Sequence, residues 1–297
     1  MSPFDGKAQK KRFFTAGVCG FCHGVRRAIS IFEQACSEHK SKIYVLHELV
    51  HNTFVSRNML VRGAVFVDSI DDIPAGAVAM IGAHGVSPQL EKLMRERFTV
   101  IDSTCPRVKT LQTMAENVKP DEELIMLCKK GHPEAVGVLG YSGTEKIYPV
   151  SDVQDAANLP ELKNAVLLSQ TTMSGAFVRE IHELLKKRFP ELEFIGNICD
   201  ASSKRQSSVE KLAENCRCVL VVGSPHSSNA AELVGVAERC GVAAYLVENG
   251  NAVTSDMLAG ADTVGVTAGA STPDELIDDV KKRLSALGYS DGDVCNG

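Results

Sequence analysis

The sequence predicts an α/β fold with parallel sheets, built from three similar repeats. Short apolar runs alternate with helical patterns along the chain, which is typical of strand–helix units in a parallel sheet. Cys22, Cys105 and Cys199 each stand where an apolar run stops and a helical pattern begins, and they are 83 and 94 residues apart. This equivalent placement indicates three units that meet at one point, with one thiol from each.

Length and composition favour a globular protein without a nucleic-acid or membrane partner. The 297 residues carry a formal net charge of −5, whereas nucleic-acid-binding proteins usually carry a basic face. No apolar run reaches the ~18 residues of a membrane span, and the N-terminus lacks the apolar core of a signal peptide. We therefore expect a cytoplasmic location. In that reducing compartment, ten cysteines indicate metal binding or catalysis rather than disulfides.

The first repeat is expected at residues 13–104, after a tail at 1–12. Cys22 is followed by apolar residues at helical spacing, which predicts a helix over 24–36. Ser87 and Pro88 are suited to the cap and first turn of another helix. Apolar runs between these helices predict strands at 43–46, 65–67 and 77–81.

The second repeat, 105–197, and the third, 198–290, follow the same layout, with a tail at 291–297. Helices are predicted after Cys105, from Ser174 to Arg188, after Cys199 and from Pro273 to Leu287. Apolar runs rich in branched residues predict strands at 124–127, 146–150, 166–168, 219–222, 244–247 and 263–266.

Polar turns recur at matching distances from the three cysteines. The first turn comes after 29, 27 and 28 residues, at His51, His132 and Ser227. The second comes after 62, 66 and 72 residues, at His84, Thr171 and Ser271. Ligands of open parallel sheets bind at such carboxyl-end turns. Nine strand-to-helix junctions could therefore line one cavity.

The cysteines point to a soft metal centre. A free cysteine taken alone is more often a small apolar filler, but equivalent placement in three repeats argues for a shared role. Thiolates favour zinc or an iron–sulfur cluster, and three of them leave one metal position open. Cys19 and Cys22 form a C-x-x-C, which could be half of a zinc site or a redox pair, but no second C-x-x-C exists.

The polar turns favour a phosphate pocket with a proton donor. Hydroxyls, imidazoles and backbone N–H groups at helix starts suit an anion, although each side chain alone could be an ordinary helix cap. The candidate ligands are His51, His84, His132, Ser227, Ser228, Asn229 and Ser271. Glu134 could donate a proton from a desolvated cavity, or be an acidic first-turn residue. Thr171 could relay that proton or cap the next helix.

Eight motifs, in order over almost the whole chain, carry a family resemblance. They are GFCHGV (20–25), HELVHN (47–52), AHGV (83–86), DSTCP (102–106), GHPE (131–134), QTT (170–172), GSPHSSN (223–229) and TAGAS (267–271). Together they resemble the hydroxymethylbutenyl diphosphate reductase (LytB) family. Val18-Cys19 stands where that family often has Pro-Arg.

The resemblance implies a trefoil of three pseudo-three-fold-related α/β domains around one 4Fe–4S cluster per chain. Cys22, Cys105 and Cys199 would hold this cluster, with one iron not ligated by protein. The implied reaction is two-electron reductive dehydration of (E)-4-hydroxy-3-methylbut-2-enyl diphosphate to isopentenyl and dimethylallyl diphosphate, the last step of the non-mevalonate isoprenoid pathway. Electrons would come from a small ferredoxin- or flavodoxin-type protein with its reductase.

The resemblance also implies roles for the polar residues. Glu134 would deliver protons, with Thr171 in the same relay and His132 beside them. The diphosphate would be held by His51, His84, His132, Thr171, Ser227, Ser228, Asn229 and Ser271. Two rival interpretations stay open. One is another three-domain iron–sulfur enzyme with an open iron, similar to quinolinate synthase, and the other is a zinc- or cluster-binding sensor without turnover.

Overall fold

The computed structural model describes residues 10–196 and 198–292. The chain divides into two compact units: residues 22–203 form one, and residues 10–21 with 204–292 form the other. The strands are β1 (Arg12–Thr15), β2 (Ile43–Leu46), β3 (Ala64–Val67), β4 (Val78–Ile81), β5 (Thr99–Asp102), β6 (Glu123–Leu127), β7 (Ile147–Val150), β8 (Ala165–Ser169), β9 (Glu193–Gly196), β10 (Cys218–Val222), β11 (Ala243–Val247), β12 (Thr263–Ala268) and β13 (Ser290–Asp291).

Helices follow most of these strands. They are α1 (His23–Glu38), α2 (Thr53–Val61), α3 (Pro88–Arg97), α4 (Pro106–Glu116), α5 (Pro133–Gly140), α6 (Val153–Ala157), α7 (Gly175–Arg188), α8 (Asp200–Asn215), α9 (Ser228–Arg239) and α10 (Asp274–Ala286). None of the helices in the described ranges has the length and apolarity needed to cross a bilayer.

The predicted α/β class with parallel sheets is confirmed. The 22–203 unit contains two four-stranded sheets, with strand orders β3-β2-β4-β5 and β7-β6-β8-β9. The other unit contains one five-stranded sheet, with order β11-β10-β12-β1-β13. Every strand pair recorded in the described residues is parallel. The predicted strands at 43–46, 124–127 and 219–222 agree with β2, β6 and β10 to within one residue.

The strand before each cysteine pairs with a strand that leads to a second polar turn, although β1, unlike the edge strands β5 and β9, also pairs with β13. β5 pairs with β4 and precedes Cys105, and β9 pairs with β8 and precedes Cys199. β1, which precedes Cys22, pairs with β12 at the other end of the chain, in register from Arg12 with Thr263. The N-terminal strand therefore completes the sheet built from the C-terminal part of the chain. The repeat boundaries stay a prediction.

Helices cover both faces of the sheets. Along β6, Ile125 and Leu127 pack with α7, whereas Leu124 and Met126 pack with α4 and α5 on the opposite face. β10 shows the same alternation: Leu220 packs with α10 on one face, and Val219 and Val221 pack with α9 on the other. Successive side chains of a strand point to opposite faces of the sheet, so a continuously apolar strand is buried on both faces. This burial fixes the carboxyl ends of the strands, from which the site residues emerge.

Candidate active site

Three histidines meet at the carboxyl ends of strands in the 22–203 unit. His51 follows β2, His84 follows β4, and His132 follows β6 as the N-cap of α5. The rings of His51 and His84 are stacked with centroids 4.4 Å apart, and His132 meets them edge-on at 5.5 and 5.2 Å. One ring nitrogen from each lies within 4.8 Å of the others. Residues 33 and 48 positions apart along the chain therefore form one cluster.

The turns that carry His51 and His84 are packed directly against each other. The N–H of Ala83 donates to the carbonyl of Leu49 at 3.0 Å. A Cβ on Gly82 would lie 2.6 Å from the carbonyl oxygen of Glu48, so only glycine fits there. Leu49 and Val50 are 1% and 2% exposed and anchor the His51 turn in the interior. This close backbone packing explains why the two rings stack.

Burial and one hydrogen bond determine the protonation of His84 and His132. Burial, with the neighbouring histidines, lowers the pKa of His84 well below its usual value. Burial, then His51 and Lys129, lowers the pKa of His132 to about 4. The N–H of Glu134 donates to Nδ1 of His132 at 3.2 Å, so the neutral ring carries its proton on Nε2. His132 therefore offers an N–H donor, which suits an anion better than a metal ion.

Glu134 is a buried acid held by Thr171. Its side chain is 2% exposed and lies in the first turn of α5. The N–H of Thr171 donates to Oε1 at 2.7 Å, and the Thr171 hydroxyl donates to Oε2 at 2.8 Å. Burial raises the pKa of Glu134, and the two hydrogen bonds oppose that rise. A carboxyl group with a raised pKa is suited to donating a proton near neutrality.

Gln170 is a site residue whose role the sequence did not indicate, although it lies in the QTT motif. Its side chain is fully buried and its Oε1 accepts from the N–H of Lys129 at 3.0 Å. Its Nε2 donates to the Thr172 hydroxyl at 3.2 Å. Gln170 therefore joins the turn after β8, which carries Thr171, to the turn after β6, which leads to His132 and Glu134.

The three predicted cysteines lie in the same unit, and two of them, Cys22 and Cys199, influence the third, Cys105. Cys22 is the N-cap of α1, and its Sγ accepts from the N–H of Val25 at 3.4 Å. Burial raises the pKa of the Cys105 thiol, and the charges of Cys22 and Cys199 raise it further. All three are partly buried free thiols. Repulsion of this kind is the usual cost of gathering thiolates around a metal centre.

Backbone hydrogen bonds join the cysteines to the polar turns. The N–H of Cys105 donates to the carbonyl of Ala83, the residue before His84, at 3.0 Å. The N–H of Cys199 donates to the carbonyl of Thr171 at 3.0 Å. Cys105 and Cys199 are therefore tied through the backbone to the turns that carry His84 and Thr171.

The remaining predicted ligands lie in the other unit, at the starts of α9 and α10. Ser227 caps α9 by accepting from the N–H of Ala230 at 3.3 Å, and Oδ1 of Asn229 accepts from the N–H of Ala270 at 2.8 Å. Within the described part of the chain, the Ser228 hydroxyl and Nδ2 of Asn229 are buried without a hydrogen-bond partner. Ser271 is 7% exposed, in the turn after β12.

Unpaired buried polar atoms cost about 1–3 kcal/mol each, so several at one turn point to a ligand. Thr267, at the end of β12, adds a third such atom, its hydroxyl oxygen, among the described residues. Thr267 was not predicted as a ligand, although it stands in the TAGAS motif. The starts of α9 and α10 therefore have the features of an anion-binding surface.

Comparison with known proteins gives consistent matches. The family model described as LytB protein matches residues 14–285. The 4-hydroxy-3-methylbut-2-enyl diphosphate reductase of Cronobacter sakazakii is 41% identical over 288 residues, covering 94% of this chain and 90% of that protein. The protein of the same name from Methylibium petroleiphilum is 42% identical over 275 residues, covering 91% and 83%.

Solved structures match as well. The E-1-hydroxy-2-methyl-but-2-enyl-4-diphosphate reductase of Plasmodium falciparum has a TM-score of 0.88 at 31% identity, covering 96% of this chain and 92% of that chain. A structure of (E)-4-hydroxy-3-methyl-but-2-enyl diphosphate reductase, described as the terminal enzyme of the non-mevalonate pathway, has a TM-score of 0.65 at 28% identity. It covers 93% of this chain and 99% of that chain.

Proposed function

This chain belongs to the LytB protein family, and we propose that it catalyses the reductive dehydration of (E)-4-hydroxy-3-methylbut-2-enyl diphosphate. The products are isopentenyl and dimethylallyl diphosphate, and the reaction is the last step of the non-mevalonate pathway. This protein is an oxidoreductase, as are its relatives. The allylic C–O bond breaks, the oxygen leaves as water, and two electrons with a second proton complete a C–H bond.

Cys22, Cys105 and Cys199 are the proposed ligands of one 4Fe–4S cluster per chain. Two features of the protein support a fit. The three donors are soft thiols, of which Cys22 and Cys199 both influence Cys105 electrostatically, and three thiolates leave one iron without a protein ligand. A Cβ on Gly24 would lie 2.6 Å from Sγ of Cys105 and 3.8 Å from Sγ of Cys22, so the absence of a side chain keeps the space beside these sulfurs open.

When bound, such a cluster supplies a Lewis-acidic iron for the allylic oxygen and a path for the two electrons. The protein's own contribution is the proton. Glu134 is the proposed donor to the departing oxygen because burial raises its pKa, and the Thr171 hydroxyl is the nearest group that can relay a second proton. The backbone hydrogen bond from Cys199 to Thr171 supports this assignment, because it joins Thr171, the hydrogen-bond partner of Glu134, to a proposed cluster ligand.

In the 22–203 unit, the histidine cluster is proposed to bind the diphosphate. In the other unit, the turns at the starts of α9 and α10 are proposed as anion ligands. His132 offers Nε2–H as a donor, and His51 and His84 stack beside it. The unpaired polar atoms of Ser228 and Asn229 support their role as ligands, together with Ser227 and Ser271. Neutral donors and helix starts would then replace the arginine and lysine clusters that hold phosphate in many other sites.

Electrons are proposed to come from a small ferredoxin- or flavodoxin-type protein with its reductase. We propose the cytoplasm as the compartment, since its reducing conditions keep thiols available for a cluster. A zinc- or cluster-binding sensor would share the cysteines. It would not need a buried acid joined to them, and Glu134 therefore favours the enzyme.

The observation that carries the proposal is the pair of backbone hydrogen bonds from Cys105 to Ala83 and from Cys199 to Thr171. The test is turnover by anaerobically purified protein with reduced methyl viologen and the allylic diphosphate, with both products quantified. Consumption of substrate with formation of the two isomers supports the proposal. A protein with the absorption of an iron–sulfur cluster that binds the diphosphate and never consumes it would be a sensor, and a colourless protein containing zinc would refute the cofactor.

A further inference from the structure

Glu48 lies in the turn that carries His51 and has no place in the mechanism above. Its Oε2 is 2.9 Å from Nδ1 of His51. We propose that Glu48 is a positioning residue for diphosphate binding: it accepts the Nδ1–H of His51 and thereby fixes the orientation of that ring. This inference rests on the proposed function, in which His51 is a diphosphate ligand.

The backbone places Glu48 firmly beside the histidine cluster. Its carbonyl oxygen packs against Gly82, where a Cβ would approach to 2.6 Å. The next residue, Leu49, is buried and accepts a hydrogen bond from Ala83. His47, the preceding residue, has a φ of 57°, in the left-handed region that a non-glycine residue rarely adopts. Close packing on both sides fixes the backbone of this turn, and the hydrogen bond to His51 then places the Glu48 carboxylate.

The contact is specific to one of the three rings. The recorded contacts of the described residues place a carboxylate within hydrogen-bond distance of His51 and of neither His84 nor His132. His132 is fixed differently, because its Nδ1 accepts from the N–H of Glu134. Two of the three rings are therefore held by different neighbours, His51 by the Glu48 carboxylate and His132 by the N–H of Glu134.

A fixed ring orientation matters because the proposed contact between His51 and the diphosphate forms only when the ring faces the ligand. The hydrogen bond between Nδ1 of His51 and Glu48 holds the ring in one orientation. Without Glu48 the ring can rotate, and part of the protein is then in a form that binds the diphosphate less well. Groups that orient a ligating histidine typically change affinity by roughly ten- to a hundredfold at metal sites, and we expect about tenfold here because the carboxylate is partly exposed.

The experiment measures the affinity of the cluster-loaded protein for inorganic pyrophosphate by anaerobic calorimetry. Glu48→Ala should weaken binding about tenfold, and Glu48→Gln, whose amide oxygen can still accept from Nδ1, should stay within about threefold of wild type. Asp68→Ala is the matched control. It removes a carboxylate that follows the neighbouring strand β3, 4.0 Å from His47, and should leave affinity unchanged.

A double-mutant cycle separates this role from general damage. If Glu48 acts through His51, then Glu48→Ala should have no further effect on affinity in a His51→Ala background. Additive losses in the double variant would overturn the inference, as would wild-type affinity in Glu48→Ala or equal losses in the Ala and Gln variants. Absence of pyrophosphate binding to the wild type would instead overturn the anion site of the proposed function, and the inference with it.

Discussion

The replacement Gly24→Ala tests whether the space beside the cysteines is needed for the cluster. The added Cβ would lie 2.6 Å from Sγ of Cys105 and 3.4 Å from its Cβ. The sulfur contact is about 1 Å shorter than the roughly 3.5–4.0 Å at which heavy atoms pack best, so the Cys105 side chain must rotate away. Overpacking of this kind costs about 1–3 kcal/mol, whereas alanine in a helix gains about 1 kcal/mol over glycine. The clash therefore prevails, and its relief displaces a proposed ligand.

The assay is iron and sulfide content after anaerobic purification, followed by the rate of iron loss to a chelator. We expect Gly24→Ala to lose iron about tenfold faster than wild type, as for other changes that disturb the surroundings of a metal ligand. Gly235→Ala in α9 is the matched control, because its Cβ meets only the end of the flexible Arg239 side chain, at 3.1 Å. Wild-type iron content and chelator resistance in Gly24→Ala would refute the reasoning.

Three further predictions concern the pocket. Glu134→Gln keeps the shape of the side chain but cannot deliver a proton. In the dye-linked assay kcat should therefore fall by about 10² to 10⁴, with the diphosphate still bound. Turnover within a few-fold of wild type would instead make Thr171 or water the proton donor. His51→Ala or His84→Ala should weaken product binding by roughly ten- to a hundredfold in calorimetry, since a charge-assisted hydrogen bond contributes about 1.5–3 kcal/mol, and unchanged affinity in both would remove these turns from the pocket. Burial lowers the pKa of His132 from 6.5 to about 4. The contribution of this group to stability is therefore present above pH 6.5 and is lost as the pH falls towards 4. The apparent Tm of wild type should fall more over that interval than the Tm of His132→Asn, and parallel curves of Tm against pH would contradict this.

Local sequence patterns predicted much of the fold, because the strands are short and apolar and the helices begin with clear caps. β2, β6 and β10 agree with the predicted strands, and the helices that begin after Cys22 and Cys105 were expected there. The five-residue α6 was not anticipated, since one turn of helix has too few residues to show a period.

The position of β1 was harder to predict. Its apolar run indicates a strand, but a parallel strand can pair with a partner at any distance along the chain, and β1 pairs with β12. Nothing in residues 12–15 themselves specifies that partner.

Part of the site could also be predicted from local sequence patterns. Residue types and matching distances from the cysteines pointed to His51, His84 and His132, and the structure brings these rings together. The roles of Gly24 and Glu48 depend on tertiary contacts instead. Gly24 is close to Cys105, 81 positions away, and a C-x-G pattern alone does not show what a side chain would meet. The role of the Glu48 carboxylate could be inferred only from its distance to the His51 ring.

The most direct test of the account is the iron and sulfide content of four single variants beside wild type, all purified anaerobically. If three thiolates hold the cluster, then Cys22→Ser, Cys105→Ser and Cys199→Ser each lose the brown chromophore or most activity. Cys19→Ser is the internal control, because this thiol is partly buried against apolar neighbours in the other compact unit, and it should keep both. A Cys105→Ser protein that retains full iron, sulfide and turnover would contradict the three-ligand centre on which the proposed function depends.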